Sequence, residues 1–486
     1  MIDKRVAIFL ALGGLFATGC EVGPKYVKPS ALPSPPAIKE PLPSNVTDSS
    51  DWKTASPNDQ VERGKWWMVF GDARLNDYED QLTQANQNLQ LAEARLRQAR
   101  AGIRFNRASQ FPSISLSPSI LNERDSANQP YFNQALVNNS TGNFVFPLEL
   151  SYEVDLWGRV RRSVTAAKEE AQSSAGDVEV AKLSLHAELA RDYFGLRSAD
   201  LQERLLRDTV KTYEHALKVT EDRYNGGASP RADVEQARTQ LQSAQVLETD
   251  IVQARANYEH AIAVLVGKTP AQFSIALDEN FVLQPPQIPV GVAGTLLERR
   301  PDVSAAERRV AAANEQIGIA KAAYFPQVTI GAAAGFQSAQ ASNWFSWPSR
   351  LWAVGPSVSQ VIYDGGRRRA ISEGVRANYD ATIAIYRQDS LTAFQEVEDN
   401  LVALNVLAKE VEQQRSATIS AEKALDLFTK RYQDGVDTYL QVVTSQTTAL
   451  QNERNDIDLR QREMDASVLL IKAIGGGWDA TQLPNY

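Results

Sequence analysis

Phe144-Val145-Phe146-Pro147-Leu148-Glu149-Leu150-Ser151-Tyr152-Glu153-Val154-Asp155-Leu156-Trp157-Gly158-Arg159 decides how the whole chain reads. From Phe144 to Val154 apolar residues alternate with mostly polar ones, the period of a strand with two unlike faces. After Gly158 the alternation stops, and a pattern without internal proline runs from about Val160 to Tyr224, close to 65 residues. As a helix this would extend about 95 Å. A strand about ten residues long thus feeds a helix several times the ordinary length. The same plan returns about 210 residues later. Asp364-Gly365-Gly366-Arg367 answers Asp155 to Arg159, Glu307-Arg308-Arg309 running to Phe325-Pro326 answers Glu93-Ala94-Arg95 running to Phe111-Pro112, and Arg431-Tyr432-Gln433-Asp434-Gly435 answers Arg223-Tyr224-Asn225-Gly226-Gly227. The order of blocks is kept, so the chain is a duplication. Its unit is far longer than the 20–50 residues of a solenoid repeat.

The remaining strands obey the same grammar. Ile114, Leu116 and Ile120 alternate with serines, and Val328, Ile330, Ala332, Ala334 and Phe336 alternate with Thr329, Gly331, Ala333 and Gly335. A fourth strand, near Trp352 to Tyr363, keeps the pattern to Val358 and breaks it at Gln360-Val361, leaving its register open. Strands of this length cross a bilayer at a tilt, but four cannot close a barrel and an open edge cannot sit in lipid. Strands of a soluble sandwich alternate too; if these span a membrane, several chains share one barrel. Tyr131, Phe132, Trp344, Phe345, Trp347 and Trp352 lie in or beside the two strand-to-strand loops, where an interfacial aromatic belt is expected.

The helices fit a ring. A continuous helical pattern from about Leu75 to Arg107 and another from Ala232 to Val266 together match the long helix in length, so two short helices stacked end to end run beside one long one. The second copy repeats this with Val303 to Tyr324, Arg367 to Tyr432 and Tyr439 to Ile474. In the long helix Val178, Leu185, Leu189 and Leu196 form one stripe and Ala190, Phe194, Leu201 and Leu205 another, roughly 120–140° away, so the helix has two neighbours.

Composition narrows the function. The formal charge of −8 gives no electrostatic support for nucleic-acid binding, and no apolar run reaches the roughly 18 residues of a membrane helix. The only cysteine, Cys20, follows the basic Lys4-Arg5, the apolar Val6 to Phe16 and the small Ala17-Thr18-Gly19, the order of a lipoprotein signal cleaved before a cysteine that then carries lipid. Six prolines between Pro29 and Pro43 make the following segment an extended tether. The expected organisation is a signal peptide over 1–19, lipidated cysteine and tether over 20–60, a first repeat over 61–280, a second over 281–478, and a short tail over 479–486. His186, His215 and His260 lie in separate helical patterns without metal-ligand spacing or a partnered nucleophile, so no enzyme, metal or cofactor is expected. Pro301, followed by Asp302 and Glu307, reads as a helix start with acids near its positive end.

Taken in order, these residues resemble the TolC-like outer-membrane factors of tripartite efflux and secretion systems, in the lipid-anchored, OprM-like (NodT-type) branch. Cys20-Glu21-Val22-Gly23-Pro24 with Tyr26, Tyr152 to Arg159, Leu297-Glu298-Arg299-Arg300-Pro301-Asp302-Val303, Asp364 to Arg367 and Gly475-Gly476-Gly477-Trp478 carry the likeness, which spans Cys20 to Trp478. The resemblance implies a mixed α/β membrane protein: a homotrimer whose four strands per chain make a 12-stranded outer-membrane barrel, continued across the periplasm by a long α-helical barrel. It implies partnership with a periplasmic adaptor and an inner-membrane pump, in an outer membrane of Gram-negative type. It places an aperture at the hairpin tips, with Asp233 and Tyr432 at latch positions, Leu440 at a constriction, and Thr444 where relatives carry an aspartate. Arg431 and Asp437 lie nearby, and Gly226, Gly227, Asp434 and Gly435 fall where an adaptor docks. A protein-secretion conduit and a lipoprotein scaffold without a channel are the alternatives; an uptake porin would carry its own closed set of strands.

Overall fold

The computed structural model describes residues 21–31, 39, 46–48, 65–124, 126, 141–290, 300–478 and 483–486. Seven α-helices are described: α1 Ala73–Ala85, α2 Gln87–Ala108, α3 Arg159–Asn225, α4 Arg231–Leu265, α5 Pro301–Ala322, α6 Arg367–Gln433 and α7 Tyr439–Ala473. Strands β1 Val46–Asp48 and β5 Ile288–Val290 form a short parallel pair. The main sheet contains β2 Ser113–Leu116, β3 Ser119–Glu123, β4 Thr141–Val154, β6 Gln327–Ser338 and β7 Arg350–Ser359, all antiparallel.

Residues expected as one strand over 111–121 form β2 and β3, both paired to β4. The register does not slip: Leu116 opposes Leu148 and Ser119 opposes Val145, so the two segments lie on one line. The interruption falls at Ser117-Pro118 facing Phe146-Pro147, where two prolines remove two ladder donors. The line β2/β3 therefore counts as the first of four, followed by β4, β6 and β7. The last strand ends at Ser359, and its open register is Gln327 opposite Ser359 through Phe336 opposite Arg350.

This register sorts the side chains into two faces. Ile114, Leu116, Leu148, Leu150, Ala332, Ala334, Trp352 and Val354 share one face, because opposed residues in a ladder point the same way. The other carries Ser113, Ser115, Glu149, Ser151, Gly331, Ala333 and Ala353. The apolar face is bare: Ile114, Ile120, Val354 and Val358 are each about two-thirds exposed, and Trp352 is 75 % exposed. At one end Trp344 and Phe345 stack with ring centroids 5.0 Å apart, against Phe144 and Phe146. Arg350 lies over Trp347 at 3.9 Å. Tyr131 and Phe132 lie outside the described residues.

Each strand-to-helix corner is built by an aspartate and glycine. Asp155 accepts from the amides of Val160 and Arg161, and Gly158 takes φ +78 at the first cap. In the second copy Asp364 accepts from the amides of Gly366 and Arg368, with Gly365 and Gly366 both at positive φ. Left-handed backbone at these caps is what glycine permits.

The helices match the expected spans except one. The pattern from Leu75 to Arg107 is two helices, broken at Asn86, whose backbone is extended. Its amide oxygen accepts from Leu89 N and its amide nitrogen donates to the carbonyl of Leu265, tying the break to the end of α4. Leu75, Leu82 and Leu89 are buried on both sides of it, in a core that joins both copies through Leu189, Phe194, Ile262, Leu401, Leu470 and Ile471. Both stripes of α3 are engaged: Val178, Leu185, Leu189, Leu196, Ala190 and Phe194 are buried, and Leu201 and Leu205 half-buried.

The amino-terminal segment is docked at its start. Val22 N donates to Trp157 O at 3.1 Å, Asn314 donates to Pro24 O, and the Tyr26 hydroxyl donates to Glu307. Glu307 is buried and also receives Arg308, so its role is to hold this strap and not to sit free at a helix end. Pro301 does occupy the first turn of α5, where Arg300 pairs with both Asp302 and Glu396 at 2.6 Å.

Candidate functional site

The site is the pair of hairpin tips at the far end of α3 and α6, 67 residues from the sheet. At the usual rise this is about 100 Å. Both turns solve the same problem, unsatisfied carbonyls at a helix end, in the same way. Gly227 N bonds to Tyr224 O and Ala228 N to Arg223 O; Gly435 N bonds to Tyr432 O and Val436 N to Arg431 O. This is a Schellman motif, and it needs the left-handed residue that Gly227 (φ +72) and Gly435 (φ +73) supply. Gly226 and Asp434 are the ordinary caps before them.

On these scaffolds the expected residues fall at one end, with different surroundings. Tyr432 is buried with Tyr439, Val442 and Ala237, its ring 5.1 Å from that of Tyr439. Asp233 sits in the first turn of α4, half-buried; burial raises its carboxyl above the ordinary value, opposed by the Arg223 charge. Asp233 and Tyr432, expected at latch positions, form no hydrogen bond with each other within the chain. The Tyr432 hydroxyl is buried without a partner among the described residues. What meets Tyr432 is Arg223, whose guanidinium lies 4.7 Å from the ring centroid and donates to Gln433 O at 3.3 Å. Sequence matching missed Arg223 because its partner lies on the other copy's hairpin.

Arg431 and Asp437 do pair, Nε to Oδ2 at 2.6 Å, within one hairpin. Leu440 and Thr444 stand one turn apart on an exposed face of α7, Leu440 53 % exposed, with the Thr444 hydroxyl returned to the Leu440 carbonyl. Burial raises the Tyr439 phenol to about 12, opposed by a hydrogen bond with Thr220, so it stays protonated. Higher on the hairpins Gln240 donates to Thr447 at 3.0 Å, a second bond between copies.

His215 and His260 are exposed. His186 is buried in the core beneath Trp67 and 2.5 Å from Glu79; burial lowers its pKa to about 4 and raises that of Glu79. Among the described residues no group of three His, Cys, Asp or Glu could hold a metal, and no helix is long and apolar enough to cross a membrane. Cys20 lies outside the described residues.

An exposed apolar sheet joined to two very long helical hairpins is the form of a known family, whose pattern matches residues 79–268 and 292–476. The chain belongs to the outer membrane efflux protein family. It is 30 % identical to outer membrane protein OprJ of Pseudomonas aeruginosa over 484 residues, 98 % of this chain and 96 % of that one. With the toluene efflux pump outer membrane protein TtgF of Pseudomonas putida it shares 30 % identity over 470 residues, 95 % of each chain. The solved structure of the outer-membrane channel OprN superposes with a TM-score of 0.83 at 27 % identity, covering 94 % of this chain and all of that one. The Campylobacter jejuni CmeC channel gives 0.85 at 23 % identity over 95 % and 96 %, a likeness of fold. The efflux protein is thus an outer-membrane channel component of an efflux system in a Gram-negative envelope, reaching from the outer membrane into the periplasm.

Proposed function

We propose that this efflux protein works as a passive, gated conduit, three copies of which close one 12-stranded barrel and one helical tunnel. The observation that carries this is the sheet: among the described residues, four strand lines with one continuous exposed apolar face and two open edges, β2/β3 and β7. Unpaired edge groups cost several kcal/mol each in lipid, so a lone sheet is unstable there and a closed ring of copies is stable. The hairpin tips then form the periplasmic aperture, lined by Leu440 and Thr444 and docked by an adaptor at Gly226, Gly227, Asp434 and Gly435, with an inner-membrane pump beyond. The cargo is small molecules, as TtgF's toluene is, and the chain itself catalyses nothing. Mass determination in detergent combined with single-channel recording tests this reading. A trimer that conducts is expected; a stable folded monomer, or a trimer without conductance, overturns it.

Cys20 is the lipid anchor in this reading. Support comes from the strap, because Val22 is pinned to the Trp157 carbonyl at the corner between sheet and helix, beside the bilayer rim. Palmitate is expected to label the wild type and not Cys20→Ser, and equal labelling rejects the anchor.

A further inference from the structure

The two hairpin tips carry the same backbone turn, yet their arginines go to different places. Arg431 folds back on its own hairpin to Asp437, six residues on. Arg223 is its counterpart in the first copy, and six residues on from it stands Ser229. No carboxylate at that position claims Arg223, and both the Ser229 hydroxyl and the Arg223 Nε are buried without a hydrogen-bond partner among the described residues. Arg223 instead crosses to the second hairpin, over the ring of Tyr432 and onto the carbonyl of Gln433. We propose that Arg223 is the latch holding the two hairpins of a protomer together at the aperture, and that serine at position 229 is what leaves it available. The contact uses the face of Tyr432 and not its hydroxyl, which has no partner. The inference rests on the aperture lying at these tips.

An arginine over an aromatic face at a partly exposed site shifts the closed-to-open ratio by about two- to fivefold per protomer. Conductance without adaptor, measured in planar bilayers on variants of confirmed trimer content, reads that shift. Arg223→Gln and Tyr432→Leu are each expected to raise it, and the double variant to exceed neither. Tyr432→Phe keeps the ring and is expected to behave as wild type. Ser229→Asp removes nothing from the latch but offers Arg223 the carboxylate that Arg431 already has; it is expected to open the channel, while Ser229→Ala does not. Tyr432→Phe opening the channel as far as Tyr432→Leu assigns the latch to the hydroxyl and overturns the proposal, as does wild-type conductance in Arg223→Gln. Should Ser229→Asp fail to assemble, the Phe and Leu variants at position 432 decide alone. Leu440→Trp distinguishes the two levels: it is expected to lower conductance, and if it does not, the aperture is elsewhere and both readings fall.

Discussion

The two long helices have the same length, 67 residues, the same glycine at the start and the same turn at the end, but they are covered very differently. Helix α3 buries residues along most of its course from Val160 to Thr220. It packs so closely on α5 that a methyl group on Gly176 would stand 2.9 Å from Ala305 Cβ. Helix α6 buries one stripe, Tyr386, Ser390, Ala393, Val397, Leu401, Leu404 and Leu407, and then only Tyr432 near its tip. Steps of three and four along that stripe are those of a single seam. Several other apolar residues on it, Ile371, Ile385, Leu391, Val406 and Leu427, are exposed in the protomer. Duplication preserved the backbone, and divergence of the side chains made one helix the spine of the chain and left the other with an exposed apolar face.

The sharpest way to break this contrast is to truncate each helix. Leu189→Ala in α3 removes a fully buried side chain and is expected to cost about 2–5 kcal/mol, read as a large fall in unfolding midpoint or in folded yield. An equally large loss from Ile385→Ala in the dissociated chain would erase the distinction. Next in size, Ile385→Glu with Leu391→Glu is expected to lower the trimer fraction in detergent while the circular dichroism of the chain stays helical. Retention of full trimer would mean that this face meets solvent and not a neighbour. A smaller effect attends Arg431→Ala, because the pair with Asp437 is partly exposed and such pairs contribute about 0–1 kcal/mol. Its conductance is expected to stay at the wild-type level, in contrast to Arg223→Gln.

A further effect depends on pH. Burial first, and then the carboxylate of Glu422 across the hairpin, raise Glu453 on α7 from 4.5 to about 7. The protonated form is thus favoured by folding. The stabilisation is fully present below pH 4.5 and is lost as pH rises through about 7. Glu453→Gln, permanently neutral, is expected to raise the unfolding midpoint relative to wild type at pH 8 and to leave it unchanged at pH 4. A constant difference at both would show that the acid is not strained by its neighbour.

Much of this was legible in the sequence because the signals are long. Sixty-odd residues without proline, and strands alternating over about ten residues, leave few other folds. The break at Asn86 was hidden because Leu75, Leu82 and Leu89 keep a seven-residue spacing straight across it, so periodicity continued where the backbone did not. Pro118 and Pro147 interrupt the ladder without shifting the register, which alternation alone does not report. The tips were located, but not their bonds. Arg223 and Arg431 occupy equivalent places in the repeat, and only the packing of one hairpin on the other decides which aromatic ring lies beneath a guanidinium.

The strap at the amino terminus has a consequence for how the chain must fold. Val22 waits for Trp157, Pro24 for Asn314 and Tyr26 for Glu307, the last two separated in sequence by 290 and 281 residues. Residues made first are therefore among the last to find their places, since these contacts close only after most of the second copy has been synthesised and folded. Long loops of this kind are slow to close and leave apolar surface open in the meantime. For a chain that must also cross one membrane and enter another, docking of the strap marks a late step, and a protease cutting after residue 26 would distinguish chains that have passed it from those that have not.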